Sequence, residues 1–533
     1  MPRSDAETRP DRRRRLLWVT VGSGAGLIVV LFLIAARVPF SSETLRQQVV
    51  ATLGERLDAD VELKELHIRV FPRFHAHGIG LAIRDKRRRD VPPLISVKTF
   101  DIHADLLGLV RKHVAEVQLY GLEIDIPPGK ADGAETTGRA GEEGGAGRAG
   151  TAEAARDVMV DNLVSTDARL VIIPRKPGKD PKIWEIHKLH MRSVSFDRSM
   201  PFDATLTNAI PPGEIETIGN FGPWIAADPG ATPLDGKFTF AHADLSVFDG
   251  ISGILSAHGA FGGSLERIDI HGETETPKFT VAVSGHPVPL HTKYHAVVDG
   301  TNGDTILERI DGSFLKTSLV AKGGVVDMPG KVGRQVALDI AMDDARVEDV
   351  LRLVVKSAKP PMIGALKLTT KFVLPPGHRD VVDKLRLDGQ FSIARVQFTE
   401  INVQDKIDEL SHRSRGKSPD AEQQHVASDF KGRFRLGDGT LALPALTFAT
   451  PGAAVSLAGS YALRPEMLDF SGTLRMDAKV SETQTGFKRV LLKVVDPLFK
   501  EDGGGSAIPI KVVGPRNNPS FGLDKGRVFH RGK

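Results

Sequence analysis

Few residues of this 533-residue chain have the types and spacing that chemistry requires. His75 and His77 stand two apart and share one face of a strand, and His187 and His190 stand three apart and share one face of a helix. Imidazole is a common zinc ligand, but zinc needs a third protein ligand and the sequence nominates none, so no metal site is assigned. Gly416-Lys417-Ser418 matches the end of a phosphate-binding loop, yet Ser411 stands where the first glycine belongs and no strand precedes it. There is no GxSxG elbow and no HExxH helix. Carboxylates are plentiful, with no pair singled out. The absence of cysteine removes thiolate nucleophiles, thiolate metal sites and disulfides together. The chain therefore reads as a non-enzyme with no catalytic residue and no cofactor.

What remains is the chemistry of apolar faces. In Leu468–Val480 the even positions are Leu468, Phe470, Gly472, Leu474, Met476, Ala478 and Val480, while Asp469, Ser471, Thr473, Arg475, Asp477 and Lys479 occupy the odd ones. One face is greasy and the other wet, as in a half-covered strand. Phe430, Gly432, Phe434 and Leu436 repeat this against Asp429, Lys431, Arg433 and Arg435, and so do Val455, Leu457, Gly459, Tyr461 and Leu463. Phe430, Phe434, Val455, Leu457, Leu468, Phe470, Leu474 and Met476 are the candidates to line an apolar groove. In Leu385–Phe398 the apolar positions are odd through Ile393 and even at Val396 and Phe398, which predicts a bulge near Ala394-Arg395.

A second candidate is helical. Phe487, Leu491, Val494, Val495 and Leu498 form one stripe flanked by Lys488, Arg489, Lys493 and Lys500. A greasy stripe with basic flanks suits a membrane surface or a partner's groove, with Phe487, Lys488, Leu491, Val494 and Leu498 as contact residues. It equally suits a helix that plugs the end of a β core.

These faces need elements to carry and place them. Leu16–Ala36 is an uncharged apolar run of a length that crosses a bilayer as one helix, at about 1.5 Å per residue. Arg12–Arg15 precede it, so the N-terminus is expected on the cytoplasmic side and the bulk of the chain beyond the membrane. A cleavable signal would have a shorter apolar core, of about 7–15 residues. After this anchor, Leu45, Val49, Leu53 and Leu57 recur every four residues and predict a helix with Ser41 or Ser42 as its cap. From Asp60 the period becomes two and short strands follow one another. Pro127 to about Arg156 lacks any large apolar residue and reads as a flexible insertion. Helical interruptions are predicted at Val347–Val355 and Val403–Leu410. The organisation expected is a basic tail (1–15), an anchor (16–36), a helix and β segment (37–126), the insertion (127–156), a β-rich middle (157–342) and a C-terminal β region with amphipathic helices (343–533). The net charge of +4 is dispersed apart from Arg12–Arg15 and Lys86–Arg89, which argues against nucleic acid as a partner. The second run reads as a solvated loop between strands.

Roughly twenty amphipathic strands must each cover one apolar face. A sandwich does so with a second sheet, and a trough does so with lipid chains; alternation alone fits both. In one continuous sheet, at about 4.8 Å per strand, twenty strands would extend on the order of 100 Å.

Three places resemble the AsmA family of Gram-negative inner-membrane proteins. The first is Val38-Pro39-Phe40, the helix ending Leu53-Gly54-Glu55-Arg56-Leu57, Val61-Glu62-Leu63, Val70-Phe71-Pro72 and Leu94-Ile95-Ser96-Val97. The second is Leu374-Pro375-Pro376-Gly377, Leu385-Arg386-Leu387-Asp388-Gly389-Gln390-Phe391 and Phe398-Thr399. The third is Ile508-Pro509-Ile510-Lys511-Val512-Val513-Gly514 with Pro519-Ser520-Phe521-Gly522-Leu523. The resemblance implies an N-terminal transmembrane helix in the inner membrane, followed by an elongated, taco-like antiparallel β-groove in the periplasm. It implies a role in phospholipid transfer or outer-membrane homeostasis, with phospholipid and an envelope protein as partners, and it carries no catalytic residues. A periplasmic scaffold or regulator of outer-membrane protein assembly, with a dry sandwich core, is the other reading.

Overall fold

The computed structural model describes residues 42–524, apart from several segments of which the longest are 127–158, 173–181, 400–427 and 478–505. The anchor 16–36, the insertion 127–156, Lys86–Arg89, Gly416-Lys417-Ser418, and the helices predicted at 403–410 and around Phe487, Lys488, Leu491, Val494 and Leu498 lie outside the described residues. Among the described residues no helix is long and apolar enough to cross a membrane.

The described chain is mainly β and divides into two compact units. Unit 1 takes the described residues up to Asp244 with Ser256–Gly272 and Val298–Gly303; unit 2 takes Leu245–Leu255, Glu273–Val297 and the rest from Asp304.

Unit 1 opens with α1 (Ser42–Leu57), and strands follow: β1 (Ala59–Arg69), β2 (Phe74–Asp85), β3 (Ile95–Ala104), β4 (His113–Ile126), β5 (Met159–Ile172), β6 (Lys182–Val194), β7 (Met200–Thr207), β8 (Glu214–Phe221) and β9 (Pro233–Asp244). Each strand pairs with the next. The period-four stripe does what the sequence predicts: Leu45, Val49 and Leu53 are buried on the apolar face of the sheet, together with Leu63, Leu81, Ile95, Phe100 and Val117. At Gly80 and Gly121 φ is +68° and +62°, a left-handed backbone that glycine adopts without penalty. A Cβ there would come within 2.6 and 2.5 Å of the stems of Lys64 and Lys98.

One pairing departs from the antiparallel expectation: β4 and β5 run parallel, with Val117 opposite Leu163 and Ile124 opposite Leu170. A tight hairpin cannot join parallel neighbours, because the chain must first return to the starting end. Residues 127–158 separate the two strands in the sequence.

The chain alternates between the units over 245–303, through a 3-10 turn at Leu245–Val247 and through β10 (Ile251–Ser252), β11 (Ile254–Ser264), β12 (Arg267–Val281) and β13 (Pro287–Val298). Unit 2 continues with β14 (Thr305–Phe314), β15 (Thr317–Asp327), β16 (Arg334–Arg346), α2 (Val347–Val354), β17 (Met362–Leu374), α3 (Val381–Lys384), β18 (Arg386–Phe398), β19 (Ser428–Gly437), β20 (Thr440–Thr450), β21 (Ala453–Ala462), β22 (Met467–Met476), β23 (Ser506–Pro515) and β24 (Ser520–Leu523). From β14 to β24 every sequential pair is antiparallel. Asp438 and Gly439, with φ of +47° and +68°, form the tight turn that closes β19–β20. Among the described residues the strands do not close into a barrel: β1 pairs only with β2, and β24 only with β23.

The predicted bulge is present. The β18–β19 register shifts between Ile393 and Val396, Arg395 has φ +54°, and its N–H donates to Asp429 Oδ1 at 3.2 Å. The shift returns Val396 to the face of Ile393, and both are buried.

Candidate functional site

Register collects the predicted groove residues of unit 2 on one sheet face. Phe430, Phe448, Val455, Leu474 and Ile508 stand in one cross-strand row over β19–β23. A parallel row runs through Leu436, Leu441, Tyr461 and Leu468. Phe434, Leu457, Phe470 and Met476 take alternate positions on the same strands. Phe470 and Met476 are each 7% exposed, whereas Phe430, Phe434, Val455, Leu457, Leu468 and Leu474 are half-buried. The alternate residues Lys431, Arg433, Ser456 and Asp469 are exposed on the other face.

Phenylalanine and glycine are paired across this face. Phe391 lies opposite Gly432, Phe434 opposite Gly389 and Phe470 opposite Gly459. A Cβ on any of these three glycines would come within 2.8 Å of the ring. The missing side chain lets each ring lie down over the neighbouring backbone, which lowers the relief of the face and covers the glycine. Phe430 adds ring contacts to Phe398 and Phe448, with centroids 6.1 and 4.7 Å away.

One end of this face is closed. Val347 of α2 is buried with Ala345, Leu366, Ile393 and Val396, and Val350 and Leu351 pack beside them. Asp349 holds the helix in place: Oδ2 accepts from Lys316 N and from Thr317 Oγ1, both at 2.9 Å. Farther along, over β20–β22, no described helix packs on the apolar face; α2 lies on β16 and β17, and α3 is tied to Arg464 by Asp383.

The polar face of the same strands is electrostatically ordered. Lys322, Asp339, Lys371, Asp388 and Arg435 alternate in sign along one cross-strand row, and Arg435 Nε donates to Asp388 Oδ2 at 3.2 Å. Next to it a depression of about 490 Å³ is lined by Lys367, Lys431, Arg433, Gln390, Thr447 and Asp343 among others.

Of the histidine pairs, His75 and His77 share a face of β2 as expected. His187 and His190 do not lie on a helix: both belong to strand β6, where His187 Nε2 meets Thr207 Oγ1 at 2.8 Å and His190 Nδ1 meets Asp203 Oδ1 at 3.1 Å. A spacing of three puts them on opposite faces in regular strand; the register shift between Ile186 and Lys188 relaxes that alternation. The sequence gives no sign that Asp101 of β3 lies within hydrogen-bonding distance of both His75 and His77, because only strand register brings residues 24 and 26 positions apart together. Burial pushes the Asp101 carboxyl up, and the hydrogen bonds from His77 and His75 outweigh that and hold it below the ordinary aspartate range.

The fold and face together define an open amphipathic β-sheet protein whose apolar side in unit 2 is only partly covered by the described residues. Comparison with known protein families, curated proteins and solved structures finds no match.

Proposed function

We propose that this chain is a membrane-anchored lipid carrier whose apolar sheet face in unit 2 holds acyl chains. In this reading residues 16–36 anchor it in the inner membrane, the described units lie in the periplasm, and it supports phospholipid transfer and outer-membrane homeostasis, as its resemblance to the AsmA family implies. The observation that carries the reading is the contiguous apolar face over β19–β23, on which Val455, Leu457, Leu468 and Leu474 are half-buried. Large contiguous apolar patches on soluble proteins are interaction sites. Each methylene buried against such a face contributes about 0.8 kcal/mol, so an acyl chain fits it without any polar recognition.

The test uses a photo-crosslinking amino acid in the full-length chain in cells with radiolabelled phospholipid. A probe at Leu457 is expected to label with lipid, and probes at Ser456 or Ala458, exposed on the opposite face, are not. Equal labelling at all three positions, or none at Leu457, overturns the reading. Crosslinks from Leu457 to another part of the chain instead point to the scaffold with a dry core.

A further inference from the structure

Unit 1 carries, on its polar face, a side-chain cluster that acyl-chain binding does not use. His75 and His77 project from one face of β2, about 7 Å apart along the strand. Strand register sets Asp101 opposite His77 and His103 opposite His75 on β3, and His67 of β1 opposite His77 on the other side. His75 Nε2 donates to Asp101 Oδ1 at 2.9 Å, and His77 Nδ1 donates to the same oxygen at 2.7 Å. The His103 ring stacks on His75 with centroids 4.6 Å apart and planes 7° from parallel.

We propose that His75 Nε2, His77 Nδ1 and Asp101 Oδ1 form a binding site for a divalent transition-metal cation of the zinc type, with solvent completing the shell. Two imidazole nitrogens and one carboxylate oxygen, without thiolate, are the donor set that zinc, nickel and copper accept. A tetrahedral ion with bonds of about 2.0–2.2 Å holds its ligand atoms about 3.3 Å apart. Two of the three ligand–ligand edges are hydrogen bonds of 2.9 and 2.7 Å, which open by about 0.5 Å to reach that value. The third is longer: the His75 and His77 ring centroids stand 6.4 Å apart. A shared tetrahedral ion brings such centroids to roughly 5 Å, so binding requires the two rings to turn toward each other by about 1.4 Å. The ion then replaces the two hydrogen-bonding protons as the link between the imidazoles and Asp101.

The surroundings suit this exchange. Asp101 is 18% exposed and each of the two histidines 34%, so the donors are partly desolvated yet reachable from solvent. The His103 ring stacks on His75 as an outer-shell neighbour. Glu116 lies opposite His103 and adds negative charge, while Arg69 opposite His75 adds a positive one.

The test is zinc binding by the full-length chain, solubilised in mild detergent, stripped with EDTA and equilibrated with Zn²⁺ at micromolar concentration. Metal retained per chain is counted by elemental mass spectrometry, and Co²⁺ loading reports tetrahedral coordination by its visible absorption. The wild type is expected to hold zinc, Asp101→Asn to weaken it at least tenfold, and His75→Ala/His77→Ala to lose the tetrahedral cobalt signal. His190→Ala, which removes a simple histidine–aspartate pair in β6, is expected to leave both readouts unchanged. His77→Gln guards against a folding artefact: a chain that melts like the wild type but loses the metal supports the site. A wild type that retains no zinc, or a double variant that binds it with unchanged affinity, overturns the proposal.

Discussion

The two units apply the same strand alternation to different ends. In unit 1, α1 lies on the sheet, and Phe100, Leu81 and Ile95 beneath it are each 1% exposed. In unit 2 an equally regular alternation leaves Leu457, Leu468 and Leu474 half-buried. Alternation determines which face is apolar; a separate element determines whether that face becomes a core. The stripe Leu45, Val49, Leu53 provides that element for unit 1, and among the described residues of unit 2 α2 provides it for one end of the face.

The sharpest way to break the contrast is to truncate one residue from each region. Phe100→Ala in the closed core is expected to cost about 3–5 kcal/mol, as for other buried aromatics. Its ring also fills the space over Gly78, where a Cβ would come within 2.1 Å. Hydrogen exchange of β2–β4 measures the loss, and an effect no larger than that of Leu457→Ala would remove the distinction. Next in size is Asp349→Ala, which strips two hydrogen bonds from a buried carboxylate and is expected to cost about 2–3 kcal/mol. Faster exchange in α2 and at the β14–β15 turn would mark the covered end of unit 2 becoming as open as its far end; unchanged protection there would mean that apolar packing alone seats the helix.

Asp125 sharpens the comparison through pH. It is buried in unit 1, and burial first, then the Glu123 charge beside it, push its carboxyl up to about 6. The unfolded chain releases this proton near pH 4 and the folded chain only near pH 6, so stability falls between those values and is level above them. Asp125→Asn is therefore expected to stabilise by on the order of 1–2 kcal/mol at pH 7.5 and by nothing below pH 4. Thermal melts at the two pH values check it, and a pH-independent gain would point to a cause other than ionisation. The smallest effect is expected for Leu457→Ala, at about 1 kcal/mol or less, because a half-buried side chain gives up little that water does not already reach. A loss of several kcal/mol would show that the open face is in fact packed.

Much of this arrangement is legible in the sequence, because local periods carry it. The switch from odd to even apolar positions marks the bulge at Arg395, and the four-residue period marks α1. Parity also places Val455 and Leu457 on the apolar face of their strand, and register then sets that face beside those of Phe430 and Leu474. Half-exposure of that face is not legible, since it depends on what packs above each strand. The parallel β4–β5 pair is hidden for another reason: alternation reads the same in both strand directions. The meeting of His75, His77 and Asp101 depends on register between β2 and β3, and no single-strand pattern encodes it.

In β14–β24 each strand is bonded to its immediate predecessor in the chain. Such a ladder is modular in the way of repeat proteins, since each hairpin answers only to its neighbours. Duplicating or deleting one hairpin preserves the parity of every other strand. Sheet length can thus change over evolutionary time in steps of two strands, while the identity of the greasy side is inherited intact.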